Sequence, residues 1–298
     1  MDCGLKLFRV LKISFRTRFC FYYCYNKIMK HVELSYTKDL MPTLGLGTWQ
    51  APSDVIESTV YKALDLGYRH IDTAFNYNNE ESIGRALKKW IDDGKGTRTD
   101  LFVTTKEMEL CQREGLIRNL GLSNFNEEQI RKISKSSTIK PQVLQVELHA
   151  YFQQQGLRKF CTDNDIVVTA YAPLGSPGAK DHFVTKYNYS PDTFPDLLNL
   201  PPVKEIADKH GRTPAQILLN FLVQQKVVVI PKSTSEHRLR ENMNIYDFEL
   251  SAPEMDLLKK LDKGESGRIF NFLFWKGVEK HPEYPFHIEK IDSSKDKH

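Results

Sequence analysis

The chain has 298 residues, 40% hydrophobic and 27% charged, which is enough apolar content to bury a sizeable core and excludes a largely disordered protein. With 16 glycines and 14 prolines it is neither fibrous nor of low complexity. The net charge of +4 comes from residues 1–28, where six Lys and Arg face the single acid Asp2; beyond them 36 basic side chains meet 37 acidic ones, a balance that argues against a nucleic-acid or membrane surface on the main domain. Of five cysteines only Cys111 and Cys161 lie beyond residue 28, which fits a reducing compartment better than a disulfide framework. No apolar run reaches the ~18 residues needed to span a bilayer.

Composition breaks at Met29. Residues 1–28 are basic, acid-poor and aromatic, with Phe19 to Tyr23 a run of rings and Cys. Two readings stand: a mitochondrial presequence, for which Ser is scarce and the rings atypical, or an unstructured extension ahead of an alternative start at Met29. Cys20 and Cys24 have no second Cys or His pair nearby, so a zinc site there is not expected. The domain division is therefore 1–28 and 29–298.

From Met29 onward, short apolar runs alternate with amphipathic stretches. The runs Leu44 to Thr48, Tyr68 to Thr73, Leu101 to Thr105, Leu116 to Leu122, Val143 to Leu148, Ile166 to Tyr171 and Val227 to Ile230 read as seven strands. Helical periodicity follows nearly all of them, at Asp54 to Leu66, Glu80 to Ile91, Glu127 to Lys135, Gln155 to Asn164, Val203 to Gln224 and Pro253 to Leu261. Repeated strand and helix units require a parallel sheet covered by helices. At this length a closed α/β barrel is the size match, with an open doubly wound sheet as runner-up. Gly45-Leu46-Gly47 stops short of a dinucleotide glycine fingerprint. One join is abnormal: only residues 107–115 separate the third strand from the fourth, too few for a crossover with its own helix.

In such barrels chemistry gathers at the carboxyl ends of the strands. Asp72 ends the second strand, Tyr77 lies on its loop and Lys106 ends the third. A carboxylate, a phenol and an ammonium at neighbouring strand ends can form a proton donor, the Asp/Lys pair lowering the phenol's pKa; the alternative is helix capping by Asp72 and scattered surface polarity. Ser123, Asn124, Gln145, Tyr171 and Ser176 could hold a planar amide and stack a ring, although Ser123 also fits a helix cap, Gln145 a barrel plug and Tyr171 ordinary core. Lys232, Ser233 and Arg238, delivered by a buried strand onto one loop and helix start, suit a phosphate monoester; the alternative is a solvated basic helix start, against the helix dipole.

Met41-Pro-Thr-Leu-Gly-Leu-Gly-Thr-Trp-Gln50, Gly67-Tyr-Arg-His-Ile-Asp-Thr-Ala74, Gly121-Leu-Ser-Asn-Phe-Asn126 and Ile230-Pro-Lys-Ser233 resemble the aldo-keto reductases, from about Met29 to Pro285. The resemblance implies a (β/α)8 TIM barrel closed by an amino-terminal hairpin, here His31 to Met41, and NADPH-dependent reduction of aldehydes and ketones; the cytoplasm is the default location, the mitochondrion the alternative if residues 1–28 are functional, and nothing in the sequence points beyond a monomer. It assigns Tyr77 as general acid tuned by Lys106 and Asp72. Ser123, Asn124 and Gln145 become the carboxamide clamp, Tyr171 the stacking platform, and Ser176 a pyrophosphate contact beside Thr48 and Leu174. Lys232, Ser233, Arg238, Glu241 and Asn242 become the 2′-phosphate site, and Trp49 with the tail from Asn271 to Phe286 the substrate pocket and its lid.

The same resemblance exposes a departure. The family's next strand ends in a His that completes its catalytic set, whereas Met108 to Arg118 follows Lys106-Glu107 directly and resembles the end of the family's fourth helix. About one and a half βα units, ~60 residues, are missing. His70 points the wrong way from its motif, and His149 matches a position outside the set. The sequence thus admits an impaired reductase, a non-catalytic NADP(H)-binding module, or an unstable truncated variant.

Overall fold

The computed structural model describes residues 29–105, 118–137 and 140–286. Residues 1–28, Lys106 and Cys111 therefore lie outside the described residues. Among the described residues seven parallel strands form the wall: β3 (Leu46–Gly47), β4 (His70–Asp72), β5 (Phe102–Thr104), β6 (Gly121–Ser123), β7 (Val143–Glu147), β8 (Val167–Tyr171) and β9 (Val228–Val229). They pair as β3-β4-β5 and as β6-β7-β8-β9. Parallel bridges Leu44–Val229 and Gly47–Lys232 join the two runs, with Gly45 N donating to Val229 O at 2.8 Å and Val229 N to Thr43 O at 2.9 Å. This seam needs Gly47, because a Cβ there would lie 2.6 Å from the Ile230 carbonyl oxygen. Among the described residues, β5 pairs with β4 alone and β6 with β7 alone, so these two strands end the wall.

The hairpin of β1 (His31–Glu33) and β2 (Leu40–Pro42) is antiparallel, with Val32 opposite Met41. Leu34 and Met41, both fully buried, pack with Val228 against Phe102, Val143 and Val167. Those are the first residues of β9, β5, β7 and β8, so the hairpin plugs the amino-terminal end and leaves the carboxyl ends for the site.

Helices cover the wall where the apolar spacing places them. In α1 (Ser53–Leu66), Ile56, Thr59, Val60, Ala63 and Leu64 form the buried face, and α2 (Glu80–Asp92) lies against it, burying Ile83, Ala86 and Trp90. The Arg69 guanidinium covers the Trp90 ring at 4.7 Å; truncating that indole to Ala would cost about 3–5 kcal/mol. α3 (Glu127–Ser136) starts at Asn126, whose side chain and that of Gln129 form a reciprocal cap. Asn126 therefore takes the capping role weighed for Ser123. α4 (Gln155–Asp163) precedes β8, buries Phe160 and Cys161, and holds the Cys161 thiol pushed up to about 12 by burial and then by Glu127.

Two expectations require correction. The single helix expected over Val203 to Gln224 is α6 (Pro201–His210) and α7 (Pro214–Gln224). Gly211, left-handed at φ 60°, ends the first, and Thr213 with Pro214 caps and starts the second. The segment after β8, in which no helix was expected, carries α5 (Lys180–Tyr187). α8 (Glu236–Met243) and α9 (Ala252–Lys259) complete the coat. Among the described residues no helix is long and apolar enough to cross a membrane.

Candidate active site

Strand register places the candidate residues at one level. Gly47 pairs with Asp72 and Asp72 with Thr104 across β3, β4 and β5, while Ser123 pairs with Gln145 and Gln145 with Thr169 across β6, β7 and β8. Gln145 also reaches across the interior: its Nε2 donates to Asp72 Oδ1 at 2.7 Å. Thr104 Oγ1 donates to the same oxygen at 2.8 Å. Asp72 is 5% exposed, so these bonds replace water that the carboxylate has lost. It does not cap a helix, and Gln145 acts here as the interior plug, tying the two halves of the wall together.

Tyr77 closes a 3-10 turn, Phe75–Tyr77. Burial and then the negative charge of Asp72 push its phenol well above the ordinary value. This corrects the expectation of a lowered pKa: among the described residues, Asp72 opposes ionisation of the phenol, and Lys106, which was to supply the compensating positive charge, falls outside them. His70 also needs correction. Two residues before Asp72 on β4, it shares the interior face; it is fully buried and stands edge-on to Phe102 at 5.3 Å.

On the other side of the interior, Ser123 Oγ, Asn124 Oδ1 and Tyr171 Oη are buried polar atoms without a hydrogen bond of ordinary geometry among the described residues, the Asn124 side chain lying near enough to the Tyr171 hydroxyl to interact with it. Asn124 is held left-handed at φ 61°, and its backbone N–H donates to Gln145 O at 2.9 Å. Burial, then Glu147, push the Tyr171 phenol well above its usual range, and Tyr77 adds to that shift, so the two phenols share one environment. An orphaned buried hydroxyl and amide oxygen cost free energy unless something binds them. Together they present a donor and an acceptor, the complement of a carboxamide, so the residues fit such a group. Thr48, by contrast, is already engaged: its hydroxyl donates to the Asp72 carbonyl at 2.9 Å and its carbonyl accepts from Asn79 at 2.9 Å. Ser176 adopts φ 49° ahead of a 3-10 turn, and Leu174 packs against the main core.

Lys232 follows the seam with β3, one strand from Asp72. Its pKa is lowered by burial and then by the Arg238 charge, so the two cations face each other closely enough to repel, a cost that a dianion would reverse. Ser233 is buried and accepts from Ser235 N at 3.2 Å, which shapes the turn into α8. Glu241 meets His237 at 3.2 Å and Asn242 is buried.

The tail completes the mouth. Trp49, Tyr171, Phe183, Phe194, Phe270, Phe272 and Phe274 belong to one aromatic cluster, with Trp49 5.7 Å from Phe183 and 6.2 Å from His182. Sequence reasoning missed what fixes it. Glu147, at the end of β7 and fully buried, accepts Ile269 N at 2.6 Å and Phe270 N at 2.9 Å and meets His149 Nε2 at 3.0 Å. Further on, Arg268 lies between the rings of Phe152 and Phe286, at 4.4 and 4.0 Å. A cavity of about 350 Å³ lined by Asn124, Val146, Gln154, Arg268, Phe286 and neighbours touches the clamp through Asn124.

The sequence pattern of the Aldo/keto reductase family matches residues 43–109 and 106–263. The chain belongs to that family. The human protein "Aldo-keto reductase family 1 member A1" is 34% identical over 296 residues, covering 77% of this chain and 89% of the relative. "Rho crystallin" of the frog Aquarana catesbeiana is 31% identical over 321 residues, covering 84% and 95%. Among solved structures, the aldose reductase of Schistosoma japonicum superposes with a TM-score of 0.74 at 32% identity, over 87% of this chain and 98% of that one. Family membership agrees with the α/β barrel wall and carries carbonyl reduction as the general activity. The two family matches overlap at residues 106–109, at the abnormally short join after β5.

Proposed function

We propose that this aldo-keto reductase binds NADP(H) and reduces aldehydes or ketones to alcohols, with Tyr77 as proton donor and with slow turnover. The carrying observation is the set of buried atoms on Ser123, Asn124 and Tyr171 that lack a well-formed hydrogen bond among the described residues, across the interior from the phenol-carboxylate pair. When bound, the cofactor supplies the hydride. Ser123 and Asn124 would hold its carboxamide, Tyr171 would back the ring, and Lys232 with Arg238 would take the 2′-phosphate, favouring NADPH over NADH. Tyr77, kept protonated by its surroundings, would give its hydroxyl proton to the carbonyl oxygen. The aromatic cluster around Trp49 excludes water and accepts an apolar substrate body.

We read the join after Lys106 as a deletion of about one and a half βα units, ~60 residues. Supporting this, the alignment to the Xenopus tropicalis relative runs over 297 residues yet takes up only 78% of a 298-residue chain, so part of the relative has no counterpart here. Loss of one positioned donor to the developing oxyanion typically lowers a rate by ~10² to 10³. The test is NADPH oxidation with an aromatic aldehyde: slow turnover that vanishes in Tyr77→Phe is expected, and background turnover in a folded sample refutes it. A second reading, cofactor binding without turnover, is favoured by a sequence that keeps Ser123, Asn124 and Gln145 of the clamp and has no counterpart of the family's catalytic His. Saturable quenching of protein fluorescence by NADPH with no aldehyde reduction would establish it.

A further inference from the structure

The interior of the wall holds a chain of hydrogen bonds reaching below the site. His70 and Asp72 alternate with Ile71 on β4, and Phe102 and Thr104 stand opposite them in register on β5. His70 Nε2 lies 3.3 Å from Thr104 Oγ1. That hydroxyl is 2.8 Å from Asp72 Oδ1, where Gln145 Nε2 also arrives at 2.7 Å.

The direction of each bond follows from the proton count. A threonine hydroxyl has one proton, and an ionised carboxylate only accepts. Thr104 gives its proton to Asp72, its alternative acceptor, the Ile71 carbonyl, being farther away at 3.5 Å. The 3.3 Å contact is then a bond only if His70 carries its proton on Nε2. Nδ1 has no hydrogen bond of ordinary geometry among the described residues, and the Pro42 backbone is the competing acceptor for the imidazole proton. Gly45 closes over that nitrogen, where a Cβ would stand 2.6 Å from it. Burial pushes the imidazole down to about 4, with the Pro42 backbone acting in the opposite sense; at neutral pH it is uncharged and has one proton to place.

We propose that His70 and Thr104 are positioning residues for Asp72: the neutral imidazole orients the Thr104 hydroxyl, and that hydroxyl and the Gln145 amide fix one carboxylate oxygen beside Tyr77. The proposal rests on the reading of Asp72 as partner to the Tyr77 donor. It ties three strands, β4, β5 and β7, to one oxygen atom. Removing the hydroxyl takes away one of the bonds that fix this oxygen, the Gln145 bond remaining, and so loosens the carboxylate without altering any group that meets substrate or cofactor.

Thr104→Val keeps the side-chain shape and breaks both links, whereas Thr104→Ser keeps the hydroxyl. In the full chain, kcat for aldehyde reduction should fall about tenfold in Thr104→Val, with KM and NADPH affinity within about twofold, and recover in Thr104→Ser. Equal kcat in Thr104→Val and the unaltered chain, or a serine variant as slow as the valine one, overturns the proposal. If the unaltered chain shows only background turnover, the carbonyl-reduction reading fails by itself and the bond chain is judged by nitrogen-15 NMR of histidine-labelled protein. The expected spectrum is a neutral His70 with the proton on Nε2, perturbed in Thr104→Val and restored in Thr104→Ser. A proton on Nδ1, turned toward the Pro42 carbonyl, or a spectrum indifferent to both substitutions, overturns the proposal there too.

Discussion

Acid should destabilise this protein through His70. The imidazole is fully buried and its pKa falls from 6.5 to about 4, so the folded state binds its proton less readily than the unfolded chain. Stability from this group is complete above pH ~6.5 and drains away as pH drops toward 4, at ~1.4 kcal/mol per unit, about 3 kcal/mol over the window. In a chain of this size that is roughly 6 to 12 °C of melting temperature. His70→Gln retains an N–H that can reach Thr104 and removes the titration. Urea unfolding of both proteins at pH 7.5, 6, 5 and 4.5 isolates the effect, because other acid-sensitive groups act equally in each. One of these is Glu254, for which burial acts upward but bonds from Lys209, Ser251 and His210 win and bring it to about 2. The unaltered chain should lose stability faster than the variant on acidification. A constant gap across the series, or a His70 resonance titrating near 6.5, refutes the reasoning.

Four further outcomes follow from the site. Lys232→Met or Arg238→Met should weaken NADPH binding ~10- to 100-fold while leaving NADH affinity nearly unchanged, each cation losing a charge-assisted contact; fluorescence titration with both cofactors checks this. Tyr77→Phe should remove turnover without changing NADPH affinity, measured by the same titration beside a rate assay. The Tyr77 phenol is raised by burial and Asp72, so ultraviolet titration should show the same number of tyrosines ionising near pH 10 in Tyr77→Phe as in the unaltered chain. Because its folded pKa lies above the unfolded one, its contribution to stability is intact below pH ~10 and is lost on further alkalinisation. Glu147→Gln leaves the Ile269 and Phe270 amides with a weaker acceptor and should cost about 2–3 kcal/mol and raise KM for an apolar aldehyde, read by unfolding and steady-state kinetics.

Strand positions were legible because buried parallel strands leave continuous apolar runs, and Asp72, Ser123 and Gln145 were visible as polar residues ending such runs. The hairpin at His31 to Met41 followed from the family motif. Other features required coordinates. The break between α6 and α7 was signalled locally by Gly211, Thr213 and Pro214, yet the amphipathic pattern continues through it and masked the signal. The interior placement of His70 follows from its spacing of two from Asp72, a period-2 signal that was present in Gly67 to Ala74 and not used. Pairings across the barrel, such as Gln145 with Asp72 or Glu147 with Ile269, have no local signature, since they join positions distant in sequence. The direction in which Tyr77 shifts depends on burial, which spacing does not reveal.

The seam between β3 and β9 carries a consequence for biogenesis. It unites the first and last staves, so the nascent chain emerging from a ribosome cannot shut the wall until nearly all of it has been synthesised. During that interval the amino-terminal half exposes a raw sheet edge at β3 in addition to the side of β5 that pairs with no strand among the described residues. Gly47 is then the joint on which late closure turns, and a bulkier residue there would be felt first as poor yield of assembled protein.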